Sequence, residues 1–552
     1  MDAENNTPVK KDDNVSMETL NTEEPGLPLQ VDSQLLPAEQ TEIGKSRGSA
    51  ATFTRNSTFS VGRLLVSSVI GFILPSYLTH KLPVKTYAAW VLILQVSAYV
   101  AYLDFGIQAG ISKYVAEYEA KNDTEGSSVR ASAGLALMLI ASVLGAALTL
   151  ILSWQVPRLF HDMPASLYHD VRLSIVFVGV SLSFGLLCSI FSSIFLGLQR
   201  YAVPMILSLV NRILFAAAVF TAVALHESLA VMGALVAIVN LVTGCLQFEA
   251  WRRMAGHVRM SLRKLDLTVV KKMLGYCSTL AIWTAGMLCV SGLDVTIVGR
   301  YDFGQTAFYA IAAIPTNFMI AIMAAALHPL VPTASALNVH RTPGQMGILL
   351  SRVTRYASIL LIASGLPLLV AGYWVLRVWV GPAYAVQAIG YLRILVLANI
   401  LRNMTMPYAS MLIATDSQKI AIAGVIAEAA VNVACSIYLA RHLGAIGVAY
   451  GTLLGSFVCI CVNFTVNMHY TYARFAISRI RLFFTGLLRP AVIGIPSLLL
   501  LPYWWSSAAP VFAMPVWLGW GVSTLCLAWF VSLNAEERSA LIGFFDRRLH
   551  PR

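Results

Sequence analysis

The chain has 552 residues, of which 57% are hydrophobic and only 12% are charged, and its formal net charge is +12. Its mean hydropathy of +0.71 is far above the range of soluble globular domains. This composition excludes an ordinary soluble enzyme and predicts a polytopic membrane protein, because lipid is the solvent that tolerates so much apolar surface.

The first segment, from Met1 to about Ser60, differs in composition from the rest of the chain. It is rich in Asp, Glu, Asn, Thr and Pro and shows no apolar periodicity, which is typical of a disordered segment. It lacks the basic start, apolar stretch and small-residue cleavage site of a signal peptide. We therefore expect residues 1–60 to form a disordered cytoplasmic tail ahead of the first span.

Apolar blocks long enough to cross a bilayer recur along the remainder of the chain. Because only helices and closed barrels satisfy their backbone groups in lipid, blocks of this length predict an all-α membrane protein. About fourteen spans are predicted, at approximately 61–80, 88–107, 131–154, 173–196, 204–225, 229–248, 276–298, 306–333, 357–380, 391–414, 420–440, 446–468, 483–505 and 512–533.

Lysine and arginine are concentrated in alternate connections, and cytoplasmic connections hold such an excess. Both termini are therefore predicted to be cytoplasmic. The most basic connection covers residues 251–275 and contains Arg252, Arg253, Arg259, Arg263, Lys264, Lys271 and Lys272. Its position predicts an N-lobe (61–250), a C-lobe (276–470), two additional spans (483–534) and a cytoplasmic C-terminal tail (535–552).

The two predicted lobes show a weak internal similarity, as between residues 229–235 and 443–449. Parallel repeats of this kind are found in transporters whose two halves enclose a cleft. Chance similarity between apolar segments is the alternative interpretation. If the repeat is real, a cavity is expected between the lobes.

The sequence contains no pattern typical of a cofactor site, a metal site or an enzyme active site. No nucleotide-binding loop, metalloprotease motif or nucleophile elbow is found, and the predicted outer connections are short. We therefore expect neither cofactor nor metal, no catalytic residues and no nucleic-acid partner. The cysteines lie in apolar blocks without CxxC spacing and are Cys188, Cys245, Cys277, Cys289, Cys435, Cys459, Cys461 and Cys526.

A few ionisable residues lie inside or at the start of predicted spans, where each is a candidate for function because an isolated charge in lipid is costly. These are Arg63, Arg212, Asp294, Arg402 and Glu428. Arg212 and Glu428 are expected at similar depths in opposite lobes, facing the cavity. An ion pair between them, with no role in transport, is the alternative.

Three asparagines lie close to these charges on the same helices: Asn211, Asn403 and Asn432. Each is expected to provide a hydrogen-bonding neighbour for the nearby charge. Since the guanidinium group binds phosphate oxygens in pairs and stays charged, an anionic cargo is predicted at Arg212 and Arg402, with Arg63 and the asparagines as further cavity residues. Asp294 and Glu428 are candidates for ion coupling. Side chains near span ends, such as Arg377 and Arg393, are expected to reach the interface.

Several segments resemble the polysaccharide transport branch of the multidrug/oligosaccharidyl-lipid/polysaccharide (MOP) exporter superfamily, which includes the Wzx-type O-antigen flippases. Over most of residues 55–535 the similarity rests on Asp104–Tyr118 (DFGIQAGISKYVAEY), Trp379–Tyr384 (WVGPAY) with Leu392–Leu395 (LRIL), and Glu428–Asn432 (EAAVN) with Gly444–Leu453 (GAIGVAYGTL). The long acidic N-terminal tail departs from the usual pattern of this family.

The resemblance implies a MATE-like fold with two six-helix lobes and two C-terminal helices in the bacterial inner membrane. It implies a flippase that carries a polyprenyl-pyrophosphate-linked oligosaccharide to the periplasmic leaflet for O-antigen, capsule or exopolysaccharide synthesis. Besides membrane lipid, a polysaccharide polymerase and a chain-length regulator are implied as partners. Alternatives are a flippase of lipid-linked peptidoglycan precursors, a drug/cation antiporter and, in a different class, a membrane glycan polymerase.

Overall fold

The computed structural model of the protein describes residues 67–327, 329–339, 343–415, 417–497, 514–533 and 538–539. Every described residue belongs to one compact unit, Thr58–Arg552. The predicted disordered tail and the candidate Arg63 lie outside the described residues.

All regular elements of the described residues are helical. The α-helices are α1 (67–81), α2 (Val84–Ala98), α3 (Ile107–Ala120), α4 (Thr124–Leu159), α5 (Tyr168–Gly197), α6 (Ala202–Ala224), α7 (Leu229–Met254), α8 (Leu267–Met287), α9 (Asp294–Tyr301), α10 (Thr306–Leu327), α11 (Leu330–Val339), α12 (Pro343–Val380), α13 (Pro382–Asn403), α14 (Met406–Ala414), α15 (Gln418–Leu443), α16 (Ala445–Val462), α17 (Met468–Tyr470), α18 (Tyr472–Phe475), α19 (Arg479–Leu482), α20 (Arg489–Ala491) and α21 (Met514–Leu527).

Short 3₁₀ and π segments connect or extend several of these helices. The 3₁₀ segments are Tyr99–Asp104, Ala165–Leu167, Leu262–Lys264, Phe303–Gln305 and Val492–Gly494. The π segments are Leu288–Gly292, Asn463–Asn467, Phe483–Leu488 and Ala528–Ser532.

The predicted fold class, a polytopic α-helical membrane protein, is confirmed. Within the described residues 11 helices are long and apolar enough to cross a membrane, and a twelfth span results if Leu267–Ser278 and Leu280–Gly292, bent by 43°, are counted together. The predicted total of about fourteen is not reached in the described part. There, the first predicted span corresponds to helix 67–81 and the last to the shorter apolar helix Gly519–Ser532.

Helices α15 and α16 show how local sequence specifies close packing. Gly444, with φ +66° and ψ −146°, is the only residue between them, in a backbone conformation that suits glycine. Along α16, Gly447, Gly451 and Gly455 lie against α15, where an added Cβ would overlap α15 atoms. Small residues spaced by four allow such close approach of membrane helices.

The basic connector between α7 and α8 is docked on the helical bundle. The backbone N–H of Arg259 donates to the Ser128 hydroxyl, and the backbone N–H of Ser261 donates to the Ser132 hydroxyl; both bonds are 3.0 Å long, and both serines are on α4. Val258 is fully buried beside them. The connector therefore follows the first turns of α4 and presents its charges at that end of the bundle.

The two ends of the bundle are named here from the predicted topology. The outer end contains connections 82–83, 160–167, 225–228 and residues 302 and 444, and the inner end contains 121–123, 198–201, 255–266 and the turn at 415–417. The largest buried apolar cluster joins the two halves of the chain, with Leu78 and Trp90 of the first half packed in the same cluster as Val298 and Tyr309 of the second.

Candidate functional site

A buried carboxylate on α9 forms the centre of a polar cluster in the second half of the chain. Asp294 is 8% exposed, and its Oδ2 accepts hydrogen bonds from the Thr452 hydroxyl at 3.1 Å and from the Tyr309 hydroxyl at 3.4 Å. Its other oxygen, Oδ1, is buried without a hydrogen-bond partner. A buried polar atom without a partner is costly, so Oδ1 is a natural position for a proton or a cation.

The side chains of Arg402 and Glu428, one positive and one negative, lie within electrostatic range of Asp294. The Arg402 Nε donates to Glu428 Oε1, joining α13 to α15, and the two side chains are 14% and 4% exposed. One guanidinium nitrogen of Arg402, Nη2, is buried without a partner. If all three groups are ionised, the cluster of Asp294, Arg402 and Glu428 has one negative charge in excess.

This ion pair corrects the expectation that Arg212 and Glu428 face each other across a cavity. Glu428 is buried and is paired with Arg402 from its own half of the chain. The side chain of a helical residue reaches only the helices that pack beside it, and α13 and α15 both pack on α16. The ion-pair partner of Glu428 is therefore determined by which helices pack together, and not by the assignment of Arg212 and Glu428 to opposite halves of the chain.

None of the three candidate asparagines forms the expected hydrogen bond to the charged residue near it in sequence; each has other hydrogen-bond partners. Asn432 donates to the Val290 carbonyl at 2.8 Å and accepts from Ser436 at 3.0 Å, whereas Asn403 donates to the Asn399 carbonyl at 2.8 Å. Asn432 thereby connects α15 to the π segment Leu288–Gly292, which lies between α8 and α9. Both asparagines are buried and have structural contacts.

Asn211 belongs to a polar chain in the first half of the protein. Its side-chain amide donates to Thr243 at 3.0 Å and to Asn240 at 3.4 Å, and Asn240 donates to Ser181 at 2.9 Å. The chain connects α5, α6 and α7 in the middle of their lengths. The sequence analysis missed Asn240, Thr243 and Ser181, although each is a polar residue at the centre of an apolar block.

Arg212 is the neighbour of Asn211 and differs from every other candidate. It is exposed, and among the described residues no hydrogen bond, ion pair or ring contact includes it. It lies near the middle of α6. Because an unpaired guanidinium at this depth is very costly in hydrocarbon, its side chain must face water or an anionic ligand.

The helical face that carries Arg212 changes character along α6. Towards the outer end, Ala216, Val219 and Val223 are 7%, 0% and 3% exposed, and all three lie on the face of Arg212. Towards the inner end, Ser208 on the same face is exposed. On this face the residues on the outer side of Arg212 are buried, whereas Arg212 itself and Ser208 on its inner side are exposed.

Three side-chain hydrogen bonds connect the first two helices to the second half of the chain. The Trp379 indole N–H donates to the Phe72 carbonyl at 2.8 Å, and the Ser76 hydroxyl donates to the Trp379 carbonyl at 2.5 Å. The Gln95 amide donates to the Gly292 carbonyl at 2.7 Å. These bonds hold α1 and α2 against the second half.

Two other predictions are tested by burial. Arg393 was expected to reach the interface, but it is 6% exposed and its Nε donates to the Leu369 carbonyl at 3.3 Å, so that prediction is wrong. Arg377 is exposed, with its guanidinium 5.1 Å from the Trp374 ring centroid. All eight cysteines lie in the described residues and are free thiols.

Comparison with solved structures places this architecture among known membrane transporters. The lipid II flippase MurJ in an inward closed conformation has a TM-score of 0.67 at 12% identity, with 85% of this chain and 98% of that chain covered. An inward-facing multidrug resistance MATE family transporter of the MOP superfamily has a TM-score of 0.65 at 16% identity, with coverage of 76% and 99%. No curated protein matches the chain.

A third solved structure, a MOP superfamily transporter from Pyrococcus furiosus Vc1 (DSM3638), has a TM-score of 0.56 at 16% identity, with 76% of this chain and 96% of that chain covered. It is described as having a binding pocket of reverse polarity that suggests a different function. The fold thus defines the class: a multi-pass membrane protein with the fold of the MOP transporters. Residues 53–336 match the family described as polysaccharide biosynthesis protein. The chain belongs to this family, and the resemblance to polysaccharide transporters is confirmed.

Proposed function

We propose that the protein is a flippase that moves a polyprenyl-pyrophosphate-linked oligosaccharide from the cytoplasmic to the periplasmic leaflet of the inner membrane by alternating access. Membership of the polysaccharide biosynthesis family supports a role in surface polysaccharide synthesis. The observation that carries the proposal is Arg212, an unpaired cation at mid-span on a helical face that is buried on its outer side and exposed on its inner side.

Arg212 is the proposed ligand of the pyrophosphate group. A guanidinium group binds phosphate oxygens through paired, charge-assisted hydrogen bonds, and phosphate would satisfy the charge that the described residues leave unpaired. Asn211, Asn240 and Thr243 have the amide and hydroxyl groups suited to a sugar and lie next to it. The polyprenyl tail stays in lipid throughout, because moving the charged headgroup through hydrocarbon is prohibitive.

The test uses cells that lack this protein and measures polyprenyl-linked oligosaccharide on the inner leaflet. We expect accumulation, with rescue by the wild type, partial rescue by Arg212→Lys and no rescue by Arg212→Glu. Arg253→Glu is the matched control, since Arg253 is 76% exposed at the inner end of α7 and should rescue fully. The amount of folded protein must be equal in all variants.

Full rescue by Arg212→Glu would remove Arg212 from the cargo site. Absence of accumulation would contradict the cargo itself and would favour the runner-up, a flippase of lipid-linked peptidoglycan precursors, whose specific support is the fold shared with MurJ. In that case lipid II accumulates in the same cells. Partnership with a polymerase and a chain-length regulator is part of the proposal.

The buried cluster of Asp294, Arg402 and Glu428 is the proposed coupling site. Arg402 supplies a fixed positive charge to the cluster, so the site needs only one more cation for neutrality, and the orphan Oδ1 of Asp294 is free to accept a proton. We expect Asp294→Asn to abolish transport driven by a proton gradient in proteoliposomes. Transport by this variant that still follows the gradient would contradict the assignment.

A further inference from the structure

The outer end of the bundle contains a second group of cations that the cargo and coupling sites do not use. Arg300 lies in the last turn of α9 and Arg441 lies in the last turn of α15. Both residues are exposed. Between them lies Tyr301, whose hydroxyl accepts a hydrogen bond from Arg441 Nε at 3.4 Å and also interacts with Arg300.

The two arginines of this group have no ion-pair partner among the described residues. The adjacent carboxylate of Asp302 is occupied, since its Oδ2 accepts from the Ala445 N–H at 3.4 Å.

The group lies where the two halves of the protein meet. Arg300 Nη1 donates to the main-chain carbonyl of Arg158, at the end of α4, at 3.4 Å. Arg158 is a third exposed cation without an ion pair in the described part of the chain. The helix dipole stabilises a positive charge near a helix C-terminus. This explains why α4, α9 and α15 each have an arginine in the last turn. It does not explain why two of them converge on one hydroxyl at this junction.

We propose that Arg300, Arg441 and the Tyr301 hydroxyl form a phosphate-binding site at the outer end, which holds the pyrophosphate group of the cargo as it leaves. Two guanidinium forks separated by a hydroxyl donor match the several oxygens of a diphosphate. This inference rests on the proposed function, because it assigns the exit position of the same cargo. The same chemistry would also accept the phosphate of an outer-leaflet phospholipid.

The site is tested by protection from an arginine reagent. The full-length protein in nanodiscs of zwitterionic lipid is treated with phenylglyoxal, with and without inorganic pyrophosphate, and modification of each arginine is quantified by mass spectrometry. At a pyrophosphate concentration of about ten times Kd, mass action predicts about tenfold slower labelling of Arg300 and Arg441. Arg377, which is exposed near the outer end of α12, is the matched control and should label at an unchanged rate.

Two variants and a lipid comparison make the result specific. In Arg441→Gln the protection of Arg300 should be weaker, and Tyr301→Phe should weaken protection of both arginines while leaving the ring in place. Unprotected Arg300 and Arg441 in the wild type would overturn the proposal. Equal protection by phosphatidylglycerol nanodiscs without pyrophosphate, with no further effect of pyrophosphate, would identify a phospholipid headgroup and also overturn it. The same mass spectra report whether pyrophosphate protects Arg212. Protection of Arg212 without protection of Arg300 and Arg441 would contradict the exit site and leave the proposed cargo site intact.

Discussion

At the scale of single residues, the chemistry of this protein depends on which charges have partners. Arg402 and Glu428 neutralise each other in a buried position, whereas Arg212 has no partner among the described residues. Two arginines inside apolar blocks therefore differ in their surroundings: Arg402 is paired with Glu428 near Asp294, and Arg212, which we propose as the ligand of an anionic cargo, is exposed. Only the packing around each side chain distinguishes them.

The buried pair makes a testable prediction about stability. Removing the charge of Arg402 leaves the buried Glu428 carboxylate without a counter-ion, at a cost of about 3–5 kcal/mol, so Arg402→Met should lower the thermal midpoint of the detergent-solubilised protein. Replacing both, Arg402→Met with Glu428→Leu, should recover much of the loss. Arg253→Gln breaks an exposed pair with Glu249 and should have almost no effect. Equal midpoints for Arg402→Met and the wild type would contradict the pairing.

At the scale of helices, the glycine positions of α16 determine how closely it approaches α15. An added Cβ at Gly451 would overlap the backbone and side chain of Ser436, whereas one at Gly390 on α13 would meet no atom within 4 Å. Across this contact the Ser436 hydroxyl of α15 donates to the Val448 carbonyl of α16 at 3.4 Å, and Thr452, the neighbour of Gly451 on α16, donates to Asp294. Close helix packing and the geometry of the coupling site therefore depend on the same residues.

Gly451→Ala should therefore destabilise the protein and misplace Thr452. Gly390→Ala is the control and should be neutral or stabilising, because alanine is favoured over glycine inside a helix by about 1 kcal/mol. Thermal melting by fluorescence-detected size exclusion measures the difference. If both variants melt at the wild-type temperature, the close approach of α15 and α16 is incorrect.

At the scale of the whole molecule, the two halves are held together at the outer end, while the face of α6 is open towards the inner end. Ser76, Gln95 and Trp379 provide hydrogen bonds across the junction. Such an arrangement exposes Arg212 to one side of the membrane. In the proposed alternating-access cycle these contacts break before the cargo leaves, as does a further bond between the halves, from Arg300 to the Arg158 carbonyl.

Labelling of introduced cysteines tests this arrangement. In a background without the eight native cysteines, Ser208→Cys should react with an impermeant thiol reagent from the cytoplasmic side, whereas Val219→Cys, at 0% exposure, should not react. Adding Trp379→Phe removes the bond to the Phe72 carbonyl and should make Val219→Cys reactive from the outer side. Labelling of Ser208→Cys from the outer side alone would contradict the predicted topology.

The fold class could be predicted from the sequence, whereas the contacts within the candidate site could not. The helical membrane class was predictable because apolar blocks of span length have few alternatives in lipid. The partners of the charged and amide side chains were not. The sequence places Glu428, Asn432 and Ser436 on one face of α15, but it does not show that this face meets Arg402, the Val290 carbonyl and the glycines of α16.

The sequence by itself determined that the protein spans the membrane many times and that few charges lie within its spans, and its motifs indicated the polysaccharide biosynthesis family. These properties follow from composition and local order along the chain. The tertiary structure decided which charges are paired, which part of the α6 face is exposed and where the two halves are hydrogen-bonded at the outer end. Such properties depend on contacts between residues far apart in sequence, and a buried charge acquires its role only from the partner that packing brings to it.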